Sequence, residues 1–235
     1  MKRSKKVTVS THTVTHCLLS NLWGYLCPMK KFLFSFLASA LFVVSGHGQT
    51  LNIGDPAPSA SYKMMNIDGS QLSINDINGE NGALVIFTCN SCPFVVGRGE
   101  TTEGWEGRYN EMTTLASENG FGTLLVNSNS ARRDDSDSFM KMKSHAMEMG
   151  YLAPYVLDEE SKLANNFSAR TTPHVFLFNT DLELIYVGSI DDNVDSAEQV
   201  EEHFLKDAIT RSAEGKRIKT ASTKAMGCSI KRAKS

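Results

Sequence analysis

Residues 83–96 decide the fold, and they read Ala-Leu-Val-Ile-Phe-Thr-Cys-Asn-Ser-Cys-Pro-Phe-Val-Val. The first five residues, Ala83 to Phe87, are apolar and rich in branched side chains, which is typical of a central strand covered by helices on both faces. Thr88 to Ser91 then turn the chain. Because Pro93 lacks an amide donor, a loss that costs nothing in a first helical turn, a helix is predicted to begin between Cys89 and Pro93.

The spacing of Cys89 and Cys92 suits a pair of thiols that can open and close. Cα atoms three residues apart on a helical turn lie about 5 to 6 Å from each other, within the range of a disulfide. Unpaired amides at a helix N-terminus stabilise a thiolate by roughly 0.3 to 1 kcal/mol. Cys89 is therefore expected to be the more acidic thiol. A fall in its pKa from about 8.5 to about 6.5 would make it mostly ionised at pH 7.

A lone C-x-x-C pair has other uses. Zinc sites usually need a second pair or added histidines at fixed spacing, and the chain after residue 48 offers neither. A soft-metal site, for copper(I) for example, and a purely structural disulfide stay open beside the redox interpretation.

The composition is that of an ordinary globular protein. The 235 residues carry a net charge of -2, with 41% hydrophobic and 21% charged residues. No basic excess points to nucleic acid, and no apolar run is long enough for a stable membrane anchor. We expect a single monomeric domain without a cofactor.

Residues 29–48 have the layout of a secretory signal peptide. A basic start, Met29-Lys30-Lys31, precedes the thirteen largely apolar residues 32–44, and Gly46-His47-Gly48 is a cleavage site of the small-x-small kind. We predict that residues 1–28 are an upstream extension outside the mature protein and that residues 29–48 are removed. Residues 49–235 would form one domain with a flexible C-terminal tail, exported to the periplasm or secreted.

Removal of these segments would also remove Cys17 and Cys27, leaving Cys89, Cys92 and Cys228. An odd number of cysteines in an oxidising compartment leaves one thiol over. Cys228 could resolve a mixed disulfide on Cys89, or it could be an exposed tail thiol.

The rest of the chain alternates helix and strand patterns. Trp105, Tyr109, Met112 and Ala116 recur at helical spacing and should pack against the sheet. Residues 134–150 are predicted as an outer, Met-rich helix, and residues 196–212 as a closing helix capped by Ser196. Strands are predicted near 123–126, 155–157, 175–178 and 184–187, with a hairpin at Asp68-Gly69. This order indicates an α/β fold with a mixed central sheet and helices on both faces.

The chain resembles the thioredoxin superfamily, and within it the peroxiredoxin-like, or redoxin, branch of secreted bacterial proteins. The resembling segments are Ile53-Gly54-Asp55-x-Ala57-Pro58, Cys89-Asn90-x-Cys92-Pro93-Phe94-Val95, Thr171-Thr172-Pro173-x-Val175-Phe176-Leu177-Phe178, Ile190-Asp191-Asp192-Asn193 and Gly227-Cys228-Ser229-Ile230-Lys231.

The resemblance implies a thioredoxin fold with Cys89 as the attacking thiol, Cys92 as the resolving thiol and Pro173 in the cis form beside them. A cis bond before proline costs only about 0.5 to 1 kcal/mol more than trans. The fold can therefore accept it where the backbone of Thr172 must face the thiols and pair with a substrate strand. An ordinary trans proline at the start of a strand is the alternative.

Further residues are weaker candidates. Asn90 and Ser91 lie between the cysteines, and Ser91 stands where relatives often carry a histidine, which removes a cation from the site. His174 follows Pro173 and could approach and tune the thiols. Arg170, Asp191 and Asp192 could contact a partner at the rim, or be solvated turn residues.

These features predict an exported thiol-disulfide oxidoreductase that exchanges disulfides with partner proteins or small thiols. A peroxidase with antioxidant activity is the first alternative. Neither cysteine lies in the P-x-x-x-[TS]-x-x-C loop of true peroxiredoxins; Val85, for example, stands in place of the proline seven positions before Cys92. A non-enzymatic module that carries copper is the second alternative.

Overall fold

The computed structural model describes residues 51–234. The predicted extension 1–28, the predicted signal peptide 29–48, and Cys17 and Cys27 lie outside the described residues. Within 51–234, no helix is long and apolar enough to cross a membrane. The strands and helices are β1 (Met64–Asn66), β2 (Gln71–Leu72), α1 (Ile74–Ile77), β3 (Gly82–Thr88), α2 (Pro93–Val96), α3 (Tyr109–Glu118), β4 (Phe121–Asn127), α4 (Phe139–Glu148), β5 (Tyr155–Leu157), α5 (Lys162–Asn166), β6 (Thr171–Thr172), β7 (His174–Phe178), β8 (Leu184–Gly188), α6 (Phe204–Ala213) and β9 (Cys228–Ser229).

The main sheet has seven strands in the order β2-β1-β5-β4-β3-β7-β8. Strand β3 pairs in parallel with β4 and antiparallel with β7, and β4 pairs in parallel with β5. The predicted mixed sheet is confirmed, as are the hairpin of β1 and β2 around Asp68-Gly69 and the hairpin of β7 and β8.

Strand β3 is buried along its whole length because helices cover both faces of the sheet. Leu84 and Ile86 point into a first core layer, which also contains Cys89, Cys92 and buried residues of α3, α4 and α6. Val85 and Phe87 point into a second core layer with buried residues of α1 and α5. The predicted packing of Trp105, Tyr109, Met112 and Ala116 against the sheet is confirmed, since these four residues belong to the first core layer.

Two predicted helices are shorter than expected. Of the helix predicted over 134–150, only α4 forms. It begins after Ser138, and the hydroxyl of this cap residue accepts the amide of Lys141 at 3.3 Å. The closing helix predicted over 196–212 divides into a 3-10 turn at Ala197–Gln199 and α6. Between them the carboxylate of Asp192 accepts the amides of Glu201 and Glu202, both at 3.1 Å. These amides are thus satisfied without a continuous helix.

The C-terminal segment is held against the domain, whereas a flexible tail was expected. The amide of Val187 donates to Ala221 at 3.0 Å, and the amide of Ile230 donates to Arg170 at 3.0 Å. Ile230 is buried in the second core layer. Between these points β9 pairs antiparallel with β6. The tail therefore returns to the end of the sheet at which the thiols lie.

Candidate active site

The cysteine pair follows the carboxyl end of β3. Residues 89–92 form a loop after Thr88, and α2 begins at Pro93 with Cys92 in the cap position, within the predicted range. Helix α2 ends after four residues at Gly97, whose φ of 82° lies in the left-handed region that favours glycine. The helix start is therefore adjacent to Cys92, not to Cys89.

Thr172 and Pro173 lie beside the two sulfurs. The Sγ of Cys89 is 3.2 Å from Thr172 Oγ1, and the Sγ of Cys92 is 3.1 Å from the carbonyl oxygen of Thr172. The Thr172–Pro173 bond is cis, as the resemblance implied. Cys89 and Cys92 expose only 1% and 3% of their surface. The structure thus brings four sequence-predicted residues into one buried cluster.

Hydrogen bonds link the ionisation of Cys92 to that of Cys89 and Cys228. The pKa of Cys92 is lowered to about 5, first because the Cys89 thiol donates to it and then because the thiol and amide of Cys228 do so, against the cost of burial. The Cys228 amide lies 3.3 Å from Cys92 Sγ. The pKa of Cys89 is raised by its hydrogen bond to Cys92 and by burial. The tail thus supplies a backbone donor to Cys92, while the Cys89 sulfur faces the Thr172 hydroxyl.

Asp137 holds the loop between the cysteines. Its fully buried carboxylate accepts the backbone amide of Asn90 at 2.9 Å, the side-chain amide of Asn127 at 2.8 Å and the Ser136 hydroxyl at 2.8 Å. The Ser91 hydroxyl also donates to it, at 3.3 Å. Asn90 and Ser91 therefore serve to position the loop, through a residue that sequence reasoning missed.

No local signal could have singled out Asp137. It follows the exposed Asp134 and Asp135 in one polar stretch, and its partner Asn90 is 47 positions away in the chain. Only the approach of the loop after β4 to the loop after β3 distinguishes it from its neighbours.

Two tyrosines line the inner side of the site. The hydroxyl of Tyr109 lies 2.9 Å from Thr88 Oγ1, and the hydroxyl of Tyr155 donates to Asn90 at 2.8 Å. Both tyrosines are fully buried, and burial raises their pKa well above the usual value. They therefore stay neutral hydrogen-bonding groups beside the thiols.

His174 does not approach the thiols. Its ring lies on the second-core face of β7 against Phe176, with ring centroids 4.5 Å apart, whereas Cys89 and Cys92 belong to the first core layer. Burial lowers its pKa to about 4, with a further contribution from the charge of Arg170. His174 is thus a neutral buried side chain, and the idea that it tunes the thiols is corrected.

Asp191 is neither a rim contact nor a solvated turn residue. It is 4% exposed, and its carboxylate accepts the indole N–H of Trp105 at 2.7 Å and an Arg108 N–H at 2.6 Å. It is part of a buried ion pair that anchors the loop after β8 to the start of α3. Asp192 and Arg170 are exposed.

Within residues 51–234, no group of three or more His, Cys, Asp or Glu side chains is arranged to hold a metal ion. Cys89, Cys92 and Cys228 are free thiols in the structure.

The sheet, the position of the thiol pair and the cis proline define a thioredoxin-fold protein. Residues 52–201 match the Redoxin family, which is more than half of the chain, so the chain belongs to that family and has a thioredoxin-like redox function. The predicted superfamily and branch are thereby confirmed.

Two solved structures have a similar fold. An uncharacterised conserved protein from Geobacillus kaustophilus is 26% identical, with 80% of this chain and 95% of that chain covered and a TM-score of 0.70. A hypothetical protein from Sinorhizobium meliloti is 23% identical, with 80% and 98% covered and a TM-score of 0.70. A search of the curated proteins found no match.

Proposed function

We propose that the protein is a thiol-disulfide oxidoreductase in which Cys89 and Cys92 alternate between dithiol and disulfide. The observation that carries the proposal is the contact of both sulfurs with Thr172, at the end of a buried strand in a Redoxin-family chain. Such a pair exchanges electrons with a thiol or disulfide of a partner protein or a small molecule.

In the proposed reaction Cys89 attacks a partner disulfide. Its proton passes to the Cys92 thiolate, with which it already shares a hydrogen bond. The Cys89 sulfur then forms a mixed disulfide, and one partner sulfur leaves as a thiolate that takes the proton from Cys92. The Cys92 thiolate attacks the Cys89 sulfur, releases the second partner thiolate and leaves the Cys89–Cys92 disulfide. Two electrons pass from the pair to the partner.

Access to the pair requires movement of the tail. Both sulfurs are nearly fully covered, and β9 occupies the edge of β6 beside them. A partner strand could pair with Thr172 only after β9 leaves that edge. We therefore expect turnover to be limited by this opening as well as by chemistry.

Reduction of insulin disulfides in the presence of dithiothreitol tests the proposal. Wild-type protein should accelerate the reaction, and Cys89→Ser and Cys92→Ser should each abolish the acceleration. The Cys92→Ser variant should also accumulate a mixed disulfide on Cys89. Ser144→Ala, at an exposed position on α4, is the matched control and should keep full activity. Unchanged rates in Cys89→Ser would refute the proposal, and consumption of hydrogen peroxide without insulin reduction would select a peroxidase instead.

We also propose that the protein is exported, with its mature chain starting at Gln49. The support is the basic, apolar and small-residue order of residues 29–48. N-terminal sequencing of the protein from fractionated bacterial cells should find Gln49 first. Retention of Met29 in a cytoplasmic fraction would contradict this proposal.

A further inference from the structure

The C-terminal strand β9 occupies the sheet edge next to the thiols. Thr171 pairs with Ser229 and Thr172 pairs with Cys228 in an antiparallel register. An extended peptide that adds to a sheet edge gains affinity from main-chain hydrogen bonds. The tail is therefore bound in the manner of a partner strand, with a cysteine opposite the residue that lies beside both sulfurs.

The sulfur of Cys92 lies between two other thiols. Hydrogen bonding from both Cys89 and Cys228 lowers the pKa of Cys92. The amide of Cys228 also donates to it, at 3.3 Å. Cys228 therefore reaches Cys92, whereas sequence reasoning considered it as a resolving thiol for Cys89.

The neighbours of Cys228 hold it at this position. A Cβ atom at Gly227 would lie 2.2 Å from the carbonyl oxygen of Thr172, so only glycine permits this close approach. On the other side Ile230 is buried, and Arg232 donates to the carbonyl of Ala169 at 2.6 Å. Contacts on both sides thus fix the register of the strand that carries Cys228.

We propose that Cys228 is an internal substrate of the thiol pair and takes over its disulfide as a Cys92–Cys228 bond. This inference rests on the proposed function, because that function supplies the oxidised Cys89–Cys92 pair. The Cys228 thiolate attacks the Cys92 sulfur; the Cys92–Cys228 bond forms as the Cys89–Cys92 bond breaks. Cys89 leaves as a thiolate and takes up the proton that Cys228 released, so no external oxidant is consumed.

The exchange has two consequences. Cys89 becomes a free thiol again while the disulfide is stored on the tail. The new bond also ties β9 to the cap of α2, which keeps the edge of β6 occupied until a reductant opens it. In the reduced protein, burial and the hydrogen bond to Cys92 raise the pKa of Cys228 to about 11, so its thiol is protonated and must release a proton before it attacks.

The test is disulfide mapping of the full-length chain. Protein oxidised with one equivalent of diamide is quenched with iodoacetamide, digested and examined by mass spectrometry, which also separates any linkage of Cys17 or Cys27. We expect wild-type protein to contain both Cys89–Cys92 and Cys92–Cys228 linkages. Cys89→Ser should contain Cys92–Cys228 as its main linkage, within a monomer on a non-reducing gel.

The double variant Cys228→Ser/Ser229→Cys is the matched control. It keeps one tail cysteine but moves it to the neighbouring position, where the side chain points to the opposite side of the strand and is exposed. We expect it to lose the linkage to Cys92 while its circular dichroism spectrum and melting temperature stay unchanged. An equal yield of a linkage from position 229 would overturn the proposal, because it would show random capture by a loose tail.

The same samples separate the two proposals. Suppose that Cys228 is fully alkylated in both oxidised wild-type and oxidised Cys89→Ser protein, while the wild-type protein still reduces insulin. The internal-substrate role is then refuted, and the proposed oxidoreductase function is retained. If wild-type protein shows neither turnover nor a Cys89–Cys92 linkage, the proposed function fails and the inference fails with it.

Discussion

Replacing Asp137 by asparagine should weaken the fold and shift the ionisation of the thiols at the same time. The side chain is fully buried and accepts three hydrogen bonds of 2.8 to 2.9 Å. Asparagine keeps the shape but offers one oxygen, and its NH2 group faces donors. If two of the three bonds lose their charged acceptor, at about 1.5 to 3 kcal/mol each, the free energy of unfolding falls by about 3 to 6 kcal/mol.

Urea unfolding measures this change. With a slope of about 2 kcal/mol per molar urea, the midpoint of Asp137→Asn should fall by about 1.5 to 3 M. The negative charge of Asp137 contributes to the raised pKa of Cys89, so its removal should lower that pKa. The pH profile of Cys89 alkylation by iodoacetamide should accordingly move to lower pH.

Asp135→Asn is the matched control for this experiment. Its side chain is 70% exposed and lies 3.3 Å from Arg132 in a surface pair. Such pairs contribute about 0 to 1 kcal/mol, so the midpoint should hardly move. If the two variants unfold at the same urea concentration and alkylate with the same pH profile, the role assigned to Asp137 is refuted.

Two further predictions concern the tail and the pH dependence of stability. Gly227→Ala should detach β9 from β6, because the new Cβ would lie 2.2 Å from the Thr172 carbonyl oxygen. Detachment should speed hydrogen exchange at the Ile230 amide, and unchanged protection of that amide would contradict the prediction. The pKa of His145 is raised by its hydrogen bond to Glu106. The stabilisation of the fold by this pair is therefore complete below the unfolded pKa of about 6.5 and is lost as the pH rises through the folded pKa. Chemical denaturation should therefore find His145→Gln more destabilising at pH 5.5 than at pH 9, and an equal loss at both pH values would exclude the ion pair.

Much of the fold could be predicted because its signals are local. The apolar run of β3, the Asp68-Gly69 turn and the helical spacing from Trp105 to Ala116 each lie within a few neighbouring residues. Periodicity and turn chemistry act over that range. The predicted helix over 196–212 failed for the opposite reason, since the carboxylate of Asp192 reaches back to take two of its amides.

The site divides in the same way. The sequence alone determined that a thiol pair follows one buried strand and that a Thr-Pro bond precedes another buried strand, because each pattern lies in consecutive residues. Only the tertiary structure brought a third cysteine to the pair, since the amide that donates to Cys92 comes from Cys228, 136 positions further along the chain. It likewise placed His174 on the far face of the sheet and Asp137 beneath the thiol loop. Hydrogen bonds and burial act through space, and these neighbours meet only when the sheet forms and the tail closes over its end.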